Sequence, residues 1–436
     1  MPIQDRSNRN LLIILVIAML LMVASLAAQS RSTTNGRLPQ PHATPSAMNF
    51  PKVIGWPQKV TPRAPNGFMV DALATDIESP RWLYVLPNGD LLVAQSRTTK
   101  SPKEDPQIIK ALTEAGSLGT SPNQITLLRD ANKDGRFETR HVFIAALNQP
   151  FGMAFSKGYL YVANTDSVIR YPYKEGAASI DVTGEKIVDL PAGGYNNHWT
   201  RNIIFSPAGD KLYITVGSQT NVDEEGLDAK DPHRAAILEC NPDGSGLRVF
   251  ASGLRNPNGL DWAPGTGALW TLVNERDELG DDLPPDFLTS VRDGGFYGWP
   301  YAYFGIEDPR HKGKRPDLVA KSLVPDIAVG AHTGSIGFAF YKGASFPMRY
   351  RNGAFIAQHG SWNRSKFSGY RVAFVPFDAS GKPGAIEDFV TGFIASDERR
   401  EVYGRPTTVA VLPGGSLAIA DDAGNRIWRV RSTGTQ

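Results

Sequence analysis

Arginine, histidine and amide side chains occur just before six short apolar strands, and together they could bind an anion or transfer a proton. His198 stands out because it follows a Gly- and Asn-rich loop in GGYNNHWTRN, and an exposed imidazole exchanges a proton near neutral pH. Arginine offers a planar fork that suits carboxylates. The other members of the set are Arg81, Asn148, Gln149, Thr200, Arg201, Arg255, Asn256, His332 and Arg405.

Several cations facing one pocket would repel one another unless an anion or a group of carboxylates lay among them. The set therefore predicts a ligand that carries several carboxylates or phosphates. The alternative is that individual arginines point to solvent or pair with Asp and Glu of nearby loops. Pro257 favours an extended backbone before it and so presents Arg255 and Asn256, although this segment could equally be a plain turn.

These side chains can converge only if the strands that follow them share one axis. A unit of strand, Gly-containing turn and strand occurs six times, as WLYVLPNGDLLVA, GMAFSKGYLYVAN, NIIFSPAGDKLYITVG, GLDWAPGTGALWTLVN, GFAFYKGASFPMRYRNGAFIAQ and TVAVLPGGSLAIAD. Further strand-like runs such as SVIRYPY follow several units. Six four-stranded units predict an all-β, six-bladed β-propeller over residues 67–432, in which the innermost strands all start at one face. A β-sandwich or two small β domains is the alternative.

Composition excludes several other classes of protein. The 436 residues are 41% hydrophobic and contain 43 Gly and 32 Pro, which favours a turn-rich β fold over a disordered chain. The 46 Lys and Arg nearly balance the 44 Asp and Glu, so no overall basic field exists to hold nucleic acid. Cys240 is the single cysteine, which excludes an internal disulfide, a Cys-rich zinc site and a Cys-x-x-Cys-His haem attachment. Redox chemistry would need a non-haem cofactor.

The N-terminal 66 residues predict export. Residues 11–28 form an uncharged apolar run preceded by Arg6 and Arg9, so residues 1–29 fit a cleaved signal peptide or an uncleaved membrane anchor. Residues 30–66 are rich in Ser, Thr, Pro and Asn without an apolar period, which predicts a linker. We expect an exported, periplasmic protein that is either free or tethered to the inner membrane.

Two loops are candidates for calcium. NERDELGDDLPPD (274–286) concentrates six carboxylates, and RDANKDGRFE places Asp130, Asn132, Asp134 and Gly135 as in a calcium loop, with His141 where a bidentate Glu is expected. Each could also be a solvated loop. The aromatic run FYGWPYAYFG (296–305) is interpreted as a core and rim cluster in preference to a sugar platform.

The chain resembles the soluble quinoprotein glucose/sorbosone dehydrogenase family, which are six-bladed propellers that carry pyrroloquinoline quinone (PQQ). The specific matches are HWTRNIIFSPAGDKLYITVG, GLRNPNGLDW, LGDDLPPDFL, GGFYGWPYAYFG, HGSWNRSKFSGYRV and GRPTTVAVLPGGSLAIADDAGNRIWRV, and they are closer to the sorbosone branch. The resemblance covers residues from about Gly67 to Val430.

The resemblance implies a catalytic role for His198 as the base that takes the substrate hydroxyl proton while hydride moves to the quinone. It also implies that Arg255 and Asn256 contact the quinone carbonyls. Two positions depart from the family pattern. Ser218 stands where glucose-oxidising relatives have an acidic residue that supports the histidine, and Asn197 replaces Asp before it.

The remaining implied positions bind cofactors. Lys366 and Arg405 would hold the PQQ carboxylates. Gln149 would be the counterpart of a glutamine that touches the quinone. Calcium held partly by main-chain carbonyls would lie at Arg276 and Asp277. Calcium would polarise a quinone carbonyl as a Lewis acid.

The predicted function is a PQQ-dependent oxidoreductase that oxidises an aldose or a sugar-derived aldehyde such as sorbosone by hydride transfer. With no haem site in the chain, reduced PQQ would pass its electrons to a separate acceptor, a cytochrome or a quinone. One alternative is a calcium-dependent lactonase-type propeller, which would carry carboxylates before its inner strands. Another is a non-enzymatic carbohydrate-binding propeller.

Overall fold

The computed structural model describes residues 38–99, 105–193 and 196–434. Strands dominate this part of the chain, which confirms the all-β class. The predicted signal or anchor segment, residues 1–29, lies outside the described residues.

Neither helix within the described ranges has the length and apolar character needed to cross a membrane.

Two strands, β1 (Lys52–Val53) and β2 (Phe68–Thr75), precede six antiparallel sheets. Each sheet is built on four antiparallel strands, and strands that are consecutive in the sheet are paired. Sheets 1, 2 and 3 consist of β3 (Pro80–Val85), β4 (Leu91–Gln95), β5 (Gln124–Arg129) and β6 (Thr139–Ile144); β7 (Met153–Ser156), β8 (Tyr159–Ala163), β9 (Ser167–Pro172) and β10 (Glu185–Asp189); and β11 (Ile203–Phe205), β12 (Leu212–Val216), β13 (Ala236–Cys240) and β14 (Arg248–Ser252).

Sheets 4, 5 and 6 follow the same plan, and β2 supplies the fourth strand of sheet 6. Strand β2 thus pairs with β30, the last strand of the described residues. The strands are β15 (Asn256–Trp262), β16 (Leu269–Asn274), β17 (Pro285–Ser290) and β21 (Ile327–Ala331); β22 (Ser335–Phe340), β23 (Gly353–Gln358), β24 (Arg371–Pro376) and β25 (Glu387–Val390); and β28 (Pro406–Val411), β29 (Leu417–Asp421) and β30 (Arg426–Ser432).

Short elements decorate these sheets. The strand β18 (Gly295–Phe296) extends sheet 3 in parallel with β14, β19 (Ala302–Tyr303) pairs with β20 (Ile306–Glu307), and β1 joins β27 (Glu401–Val402) and β26 (Ile394–Ser396). The helices of the described residues are α1 (Pro106–Glu114) and α2 (Pro316–Lys321), with 3-10 turns at Pro309–His311, Met348–Tyr350 and Pro413–Gly415.

All six predicted hairpins form, and each supplies the first two strands of a sheet. Gly209, at the turn between β11 and β12, has a φ of +69°, a backbone conformation that glycine adopts without steric cost. In the fifth hairpin, Gly353 begins β23 and does not lie in the turn.

Six apolar clusters in the described residues fill the contacts between consecutive sheets. The cluster that joins sheet 6 back to sheet 1 contains Leu83, Val93, Ala418 and Ile427, all at most 4% exposed. First strands of neighbouring sheets also touch, since β28 contacts both β3 and β22. The sheets therefore close into a ring with their first strands innermost.

Residues 42–56, which lie within the predicted linker (30–66), bond to the sheets and to their loops. The His42 amide donates to Leu279 O at 2.9 Å, and the Asn49 amide donates to Trp362 O at 2.7 Å. Strand β1 pairs with β27, and Trp56 is buried in the apolar cluster between sheets 5 and 6. A composition without an apolar period indicated irregular backbone, but it carried no information about such backbone contacts.

Candidate active site

The candidate site lies at the edge of the ring where the first strand of each sheet begins. In an antiparallel hairpin the second strand ends at that same edge. Residues before β11, β15 and β28 therefore meet residues that follow β12, β16 and β29. The first group was predicted from the sequence and is largely cationic, whereas the second group includes most of the polar partners.

His198 is partly buried and has a defined tautomer. Its Nδ1 lies 2.8 Å from Ser218 Oγ and 3.1 Å from Ser218 O. The Ser218 hydroxyl donates to Thr220 O at 2.9 Å, so the serine oxygen and carbonyl accept a proton that Nδ1 carries. The lone pair is then on Nε2, which lies 3.3 Å from the Asn197 amide nitrogen. Ser218 thus occupies the supporting position that the sequence assigned to it.

Several cations surround His198. Burial, followed by the charges of Arg255, Arg234 and Arg201, holds the pKa of His198 well below its ordinary value of 6.5. The imidazole is therefore neutral at neutral pH and can accept a proton at Nε2.

Arg255 is 3% exposed and bonds mainly to neutral oxygens. Nε donates to Asn221 O at 2.9 Å, Nη2 donates to Asn221 Oδ1 at 2.6 Å, and Nη1 donates to Glu275 O at 2.7 Å. The guanidinium lies 5.5 Å from the centre of the Trp299 ring. Burial lowers the pKa of Arg255, and the described residues offer it no ion pair.

Asn256 lies beside His198, with Gly217 between them. A Cβ on Gly217 would lie 2.5 Å from both Asn256 Oδ1 and His198 Cβ, so only glycine allows this approach. Asn256 Oδ1 is buried and has no hydrogen-bond partner in the described residues. An unpaired buried acceptor is costly and indicates a missing donor.

Two further arginines, Arg201 and Arg234, lie beside the His198 loop. Arg201 Nη1 donates to His198 O at 2.6 Å, and its Nη2 donates to Asn196 Oδ1 at 3.2 Å. Arg234 Nη1 donates to the same Asn196 Oδ1 at 2.6 Å. Two guanidinium groups therefore share one neutral amide oxygen, and no carboxylate in the described ranges forms an ion pair with either.

Arg405, ahead of sheet 6, is 3% exposed. Nε donates to His359 O at 3.1 Å, Nη2 donates to Gly360 O at 2.9 Å, and Nη1 donates to Ser117 Oγ at 2.7 Å. Like Arg255, it has no carboxylate partner among the residues described. Both guanidinium groups are therefore hydrogen-bonded only to neutral groups, while the nearest carboxylates act on them without an ion pair.

Arg81 and His359 share the carboxylate of Asp422. Arg81 Nη1 lies 2.5 Å from Asp422 Oδ2, and His359 Nε2 lies 2.8 Å from Asp422 Oδ1. Burial, together with the charge of Arg405, lowers the pKa of His359 to about 4. The guanidinium of Arg81 lies 5.5 Å from the Trp199 ring, which connects this cluster to the loop of His198.

Two predicted cofactor residues lie apart from this set. Gln149 Nε2 donates to Arg97 O at 2.8 Å, and its amide donates to Asn123 Oδ1 at 3.0 Å. Lys366 is exposed on the loop after β23 and makes no hydrogen bond or ion pair with a described residue. Their roles remain predictions.

The two predicted metal residues lie ahead of the FYGWPYAYFG segment. Arg276 is committed to a buried ion pair, with Nη1 2.7 Å from Asp308 Oδ2. Asp277 Oδ1 accepts from Asn363 Nδ2 and lies 3.5 Å from His332 Nδ1. Although burial alone would raise it, His332 and Arg255 hold the pKa of Asp277 below its ordinary value. Asp277 is therefore an ionised carboxylate.

The acidic loop does not assemble its six carboxylates around one point. Glu278 pairs with Arg310, Asp282 with Arg364, and the carboxylate of Asp286 accepts from the Glu275 amide at 3.0 Å. No group of three His, Cys, Asp or Glu side chains within the described chain could hold a metal ion, which includes the loop at 130–135. Tyr297, Trp299 and Tyr303 are buried, as the core interpretation of their segment predicts.

The sequence profile of the TrAA12-like family matches residues 62–283 and 315–433. This chain belongs to the TrAA12-like family. The unmatched residues, 284–314, include Trp299 and Asp308, the partners of Arg255 and Arg276.

Curated relatives of this TrAA12-like chain are distant. An uncharacterised protein of Borreliella burgdorferi is 28% identical over 388 residues, which is 85% of this chain and 90% of that protein. The quinoprotein glucose dehydrogenase B of Acinetobacter calcoaceticus is 24% identical over 59% of this chain and 57% of its own length. The chain thus spans little more than half the length of that dehydrogenase.

Solved structures share the fold. The PQQ domain of pyranose dehydrogenase from Coprinopsis cinerea, in its holo form, superposes with a TM-score of 0.67 at 20% identity, covering 88% of this chain and 100% of that domain. The calcium structure of the Trichoderma reesei enzyme of Carbohydrate-Active Enzymes Family AA12 gives a TM-score of 0.68 at 18% identity, covering 92% of this chain and 100% of that one. The predicted resemblance to PQQ-dependent sugar dehydrogenases is confirmed, whereas none of these proteins is named a sorbosone dehydrogenase.

Sequence reasoning missed several members of the site in this TrAA12-like chain. It considered only residues before first strands and so overlooked His359 and Asp422, which directly follow second strands. The hairpin geometry is a signal that could have found them. Arg234 and Asn196 carry no such signal, because neither position adjoins an inner strand.

Proposed function

We propose that this chain is a six-bladed β-propeller and a PQQ-dependent dehydrogenase that oxidises an aldose or a sugar-derived aldehyde, such as sorbosone, by hydride transfer. One observation carries the proposal. Four buried arginines without carboxylate partners among the described residues, Arg201, Arg234, Arg255 and Arg405, lie around the same edge as a neutral histidine.

The residues present fit PQQ. An uncompensated buried guanidinium is expensive, and an anion that joins it recovers much of the cost. PQQ carries three carboxylates, which complement this charge. Arg405 and Lys366 would hold the carboxylates, Arg255 and Asn256 would face the quinone carbonyls, and Gln149 would touch the ring.

The bound quinone would accept a hydride from the carbon that is oxidised. His198 would take the hydroxyl proton of that carbon at Nε2, because Ser218 fixes the other nitrogen as a donor. Burial and the neighbouring arginines lower the pKa of His198, so the imidazole is neutral and can accept the proton. Arg255 would stabilise negative charge that develops near the base and ring.

Calcium fits less directly. Asp277 supplies one ionised carboxylate, and the Arg276 carbonyl accepts no hydrogen bond from a described residue. Most of the ligand oxygens would therefore come from main-chain groups and from the cofactor. A calcium-dependent lactonase-type site is disfavoured, because arginines stand before the inner strands where that site needs carboxylates.

The N-terminal run supports a further part of the proposal. An apolar segment after Arg6 and Arg9 would export the chain to the periplasm or tether it to the inner membrane. A cytochrome or a membrane quinone would then accept electrons from the reduced cofactor.

Reconstitution tests the proposal. The purified apoprotein is incubated with PQQ and calcium, and reduction of an artificial dye is measured with a panel of aldoses and aldehydes, with lactone hydrolysis assayed in parallel. We expect PQQ-dependent dye reduction and no lactone cleavage. Lactone turnover without dye reduction would replace the proposal with a hydrolase, and silence in both assays would leave a carbohydrate-binding protein.

A further inference from the structure

The two arginines beside His198, Arg201 and Arg234, are not among the residues proposed to contact individual groups of PQQ. Arg201 is 0% exposed and Arg234 is 5% exposed, and both point at Asn196 Oδ1. The amide group of Asn196 donates in turn to Thr165 Oγ1 at 3.1 Å, at the end of sheet 2. The pair therefore sits between sheets 2 and 3, at the base of the His198 loop.

The two arginines differ in how their donors are used. Arg201 bonds to four acceptors, the oxygens of His198, Thr200 and Pro191 and the amide of Asn196. Arg234 donates one hydrogen bond within the described chain, from Nη1. Arg201 thus holds the loop, whereas Nε and Nη2 of Arg234 donate to no residue that the structure describes.

The position of Arg234 separates it from the proposed cofactor residues. Arg255 bonds toward sheet 4 through Glu275, whereas Arg234 faces sheet 2 through Asn196. His198 adjoins both groups, because only Gly217 separates it from Asn256, and Arg201, which shares Asn196 with Arg234, donates to the His198 carbonyl. A base that removes the substrate proton lies where substrate and cofactor meet, so the side away from Arg255 is the substrate side.

We propose that Arg234, held in place by Asn196 and Arg201, binds a negatively charged group of the substrate, so that acidic sugars are the preferred substrate class. The charged group would be a carboxylate or phosphate remote from the carbon that is oxidised. This inference rests on the proposed dehydrogenase function. A charge-assisted hydrogen bond in a buried site contributes enough to favour the acidic sugar by roughly 10- to 100-fold.

Substrate competition tests the inference in the holoenzyme loaded with PQQ and calcium. The value of kcat/KM is measured separately for glucuronate, glucose 6-phosphate and glucose. We expect kcat/KM for at least one of the two acidic sugars to exceed that for glucose by roughly 10-fold or more, and the preferred one shows which anion is bound. Arg234→Gln should bring that ratio close to one, and Arg234→Lys should retain part of it. Arg349→Gln, at an exposed arginine paired with Glu387, is the matched control and should keep the full ratio.

Asn196→Asp is a second variant that leaves both arginines in place. It gives the pair an internal carboxylate, so the preference for the acidic sugar should fall as in Arg234→Gln. A ratio near one in the wild type, or a ratio that survives both substitutions, would overturn the inference.

Binding provides a readout that does not depend on turnover. Methyl glucuronide and methyl glucoside lack the anomeric hydroxyl, so their affinities by calorimetry report recognition alone. The wild type should bind the glucuronide more tightly, and Asn196→Asp should remove the difference. If no sugar reduces the dye, the dehydrogenase proposal fails, and calorimetry still decides whether the anion subsite exists.

Discussion

Buried arginine charge is stabilised differently on the sheet 3 and sheet 4 sides of the site. On the sheet 4 side, Arg276 pairs with Asp308, and both side chains are at most 4% exposed. On the sheet 3 side, Arg201 and Arg234 share only the neutral oxygen of Asn196. A buried charge with an internal partner needs no ligand, whereas one without a partner is stabilised when an anion binds.

Glu275 extends this contrast. Burial raises the pKa of Glu275 to about 8, so this carboxyl group on the sheet 4 side is protonated and uncharged at neutral pH. An arginine cannot follow the same route at neutral pH because it stays protonated. The difference teaches that unpaired guanidinium groups, more than acidic clusters, mark the ligand-binding part of this edge.

The largest expected effect is on the sheet 3 side. His198→Ala should lower dye reduction by roughly 10²- to 10⁴-fold, because the proton acceptor is lost. PQQ binding, measured by absorbance titration, should persist, since the arginines remain. His141→Ala, on an exposed histidine of sheet 1, should retain turnover; full activity in His198→Ala would remove this residue from the mechanism.

Breaking the sheet 4 pair should affect stability more than ligand binding. Asp308→Asn leaves Arg276 buried without a carboxylate, and loss of one partner of such a pair costs about 3–5 kcal/mol of unfolding free energy. Urea denaturation measures this change. Asp317→Asn, which removes a half-exposed partner of Arg315, should change stability by less than about 1 kcal/mol. Equal losses in the two variants would contradict the assignment of Arg276 to the scaffold.

A smaller effect is expected from crowding the base. Gly217→Ala places a methyl group 2.5 Å from His198 Cβ and Asn256 Oδ1, so one of them must shift. A displacement of the base of this size should lower kcat by up to about 10²-fold. Gly193→Ala serves as control, because a Cβ there meets nothing within 4 Å and the backbone is unstrained.

The smallest effect concerns pH on the sheet 4 side. The folded pKa of Glu275 is about 8 against an ordinary value of 4.5, so the folded state binds this proton more tightly. Its contribution to stability is full below pH 4.5 and is lost as the pH rises through 8. Glu275→Gln should therefore flatten the decline of unfolding free energy between pH 6 and pH 9 by on the order of 1 kcal/mol. An identical decline in both proteins would show that Glu275 is ionised when folded.

The hairpins that build the sheets could be predicted from the sequence. Alternating apolar runs around Gly89, Gly158, Gly209 and Gly415 located the hairpins, because strand period and turn chemistry are local properties. The contacts of residues 42–56 could not be predicted, because their hydrogen bonds to Leu279 and Trp362 use main-chain groups that leave no pattern in the side chains.

The candidate site was only partly accessible to the same reasoning. Arg255 and Arg405 directly precede inner strands, and His198 lies a few residues ahead of β11, so all three could be predicted at this edge. The pairing of Arg276 with Asp308 could not, because it joins residues 32 positions apart through an irregular segment. Arg276 pairs with a carboxylate, whereas Arg234 bonds to the neutral amide of Asn196. This difference depends on contacts that form only in the folded chain.

Titration of the apoprotein with PQQ in the presence of calcium tests the central claim most directly. If the unpaired arginines form the anion-binding edge, one PQQ binds per chain, and Arg255→Gln and Arg405→Gln each weaken binding by roughly 10-fold or more while Arg349→Gln leaves it unchanged. Absence of binding to the wild type, or equal affinity in all four proteins, would contradict the claim.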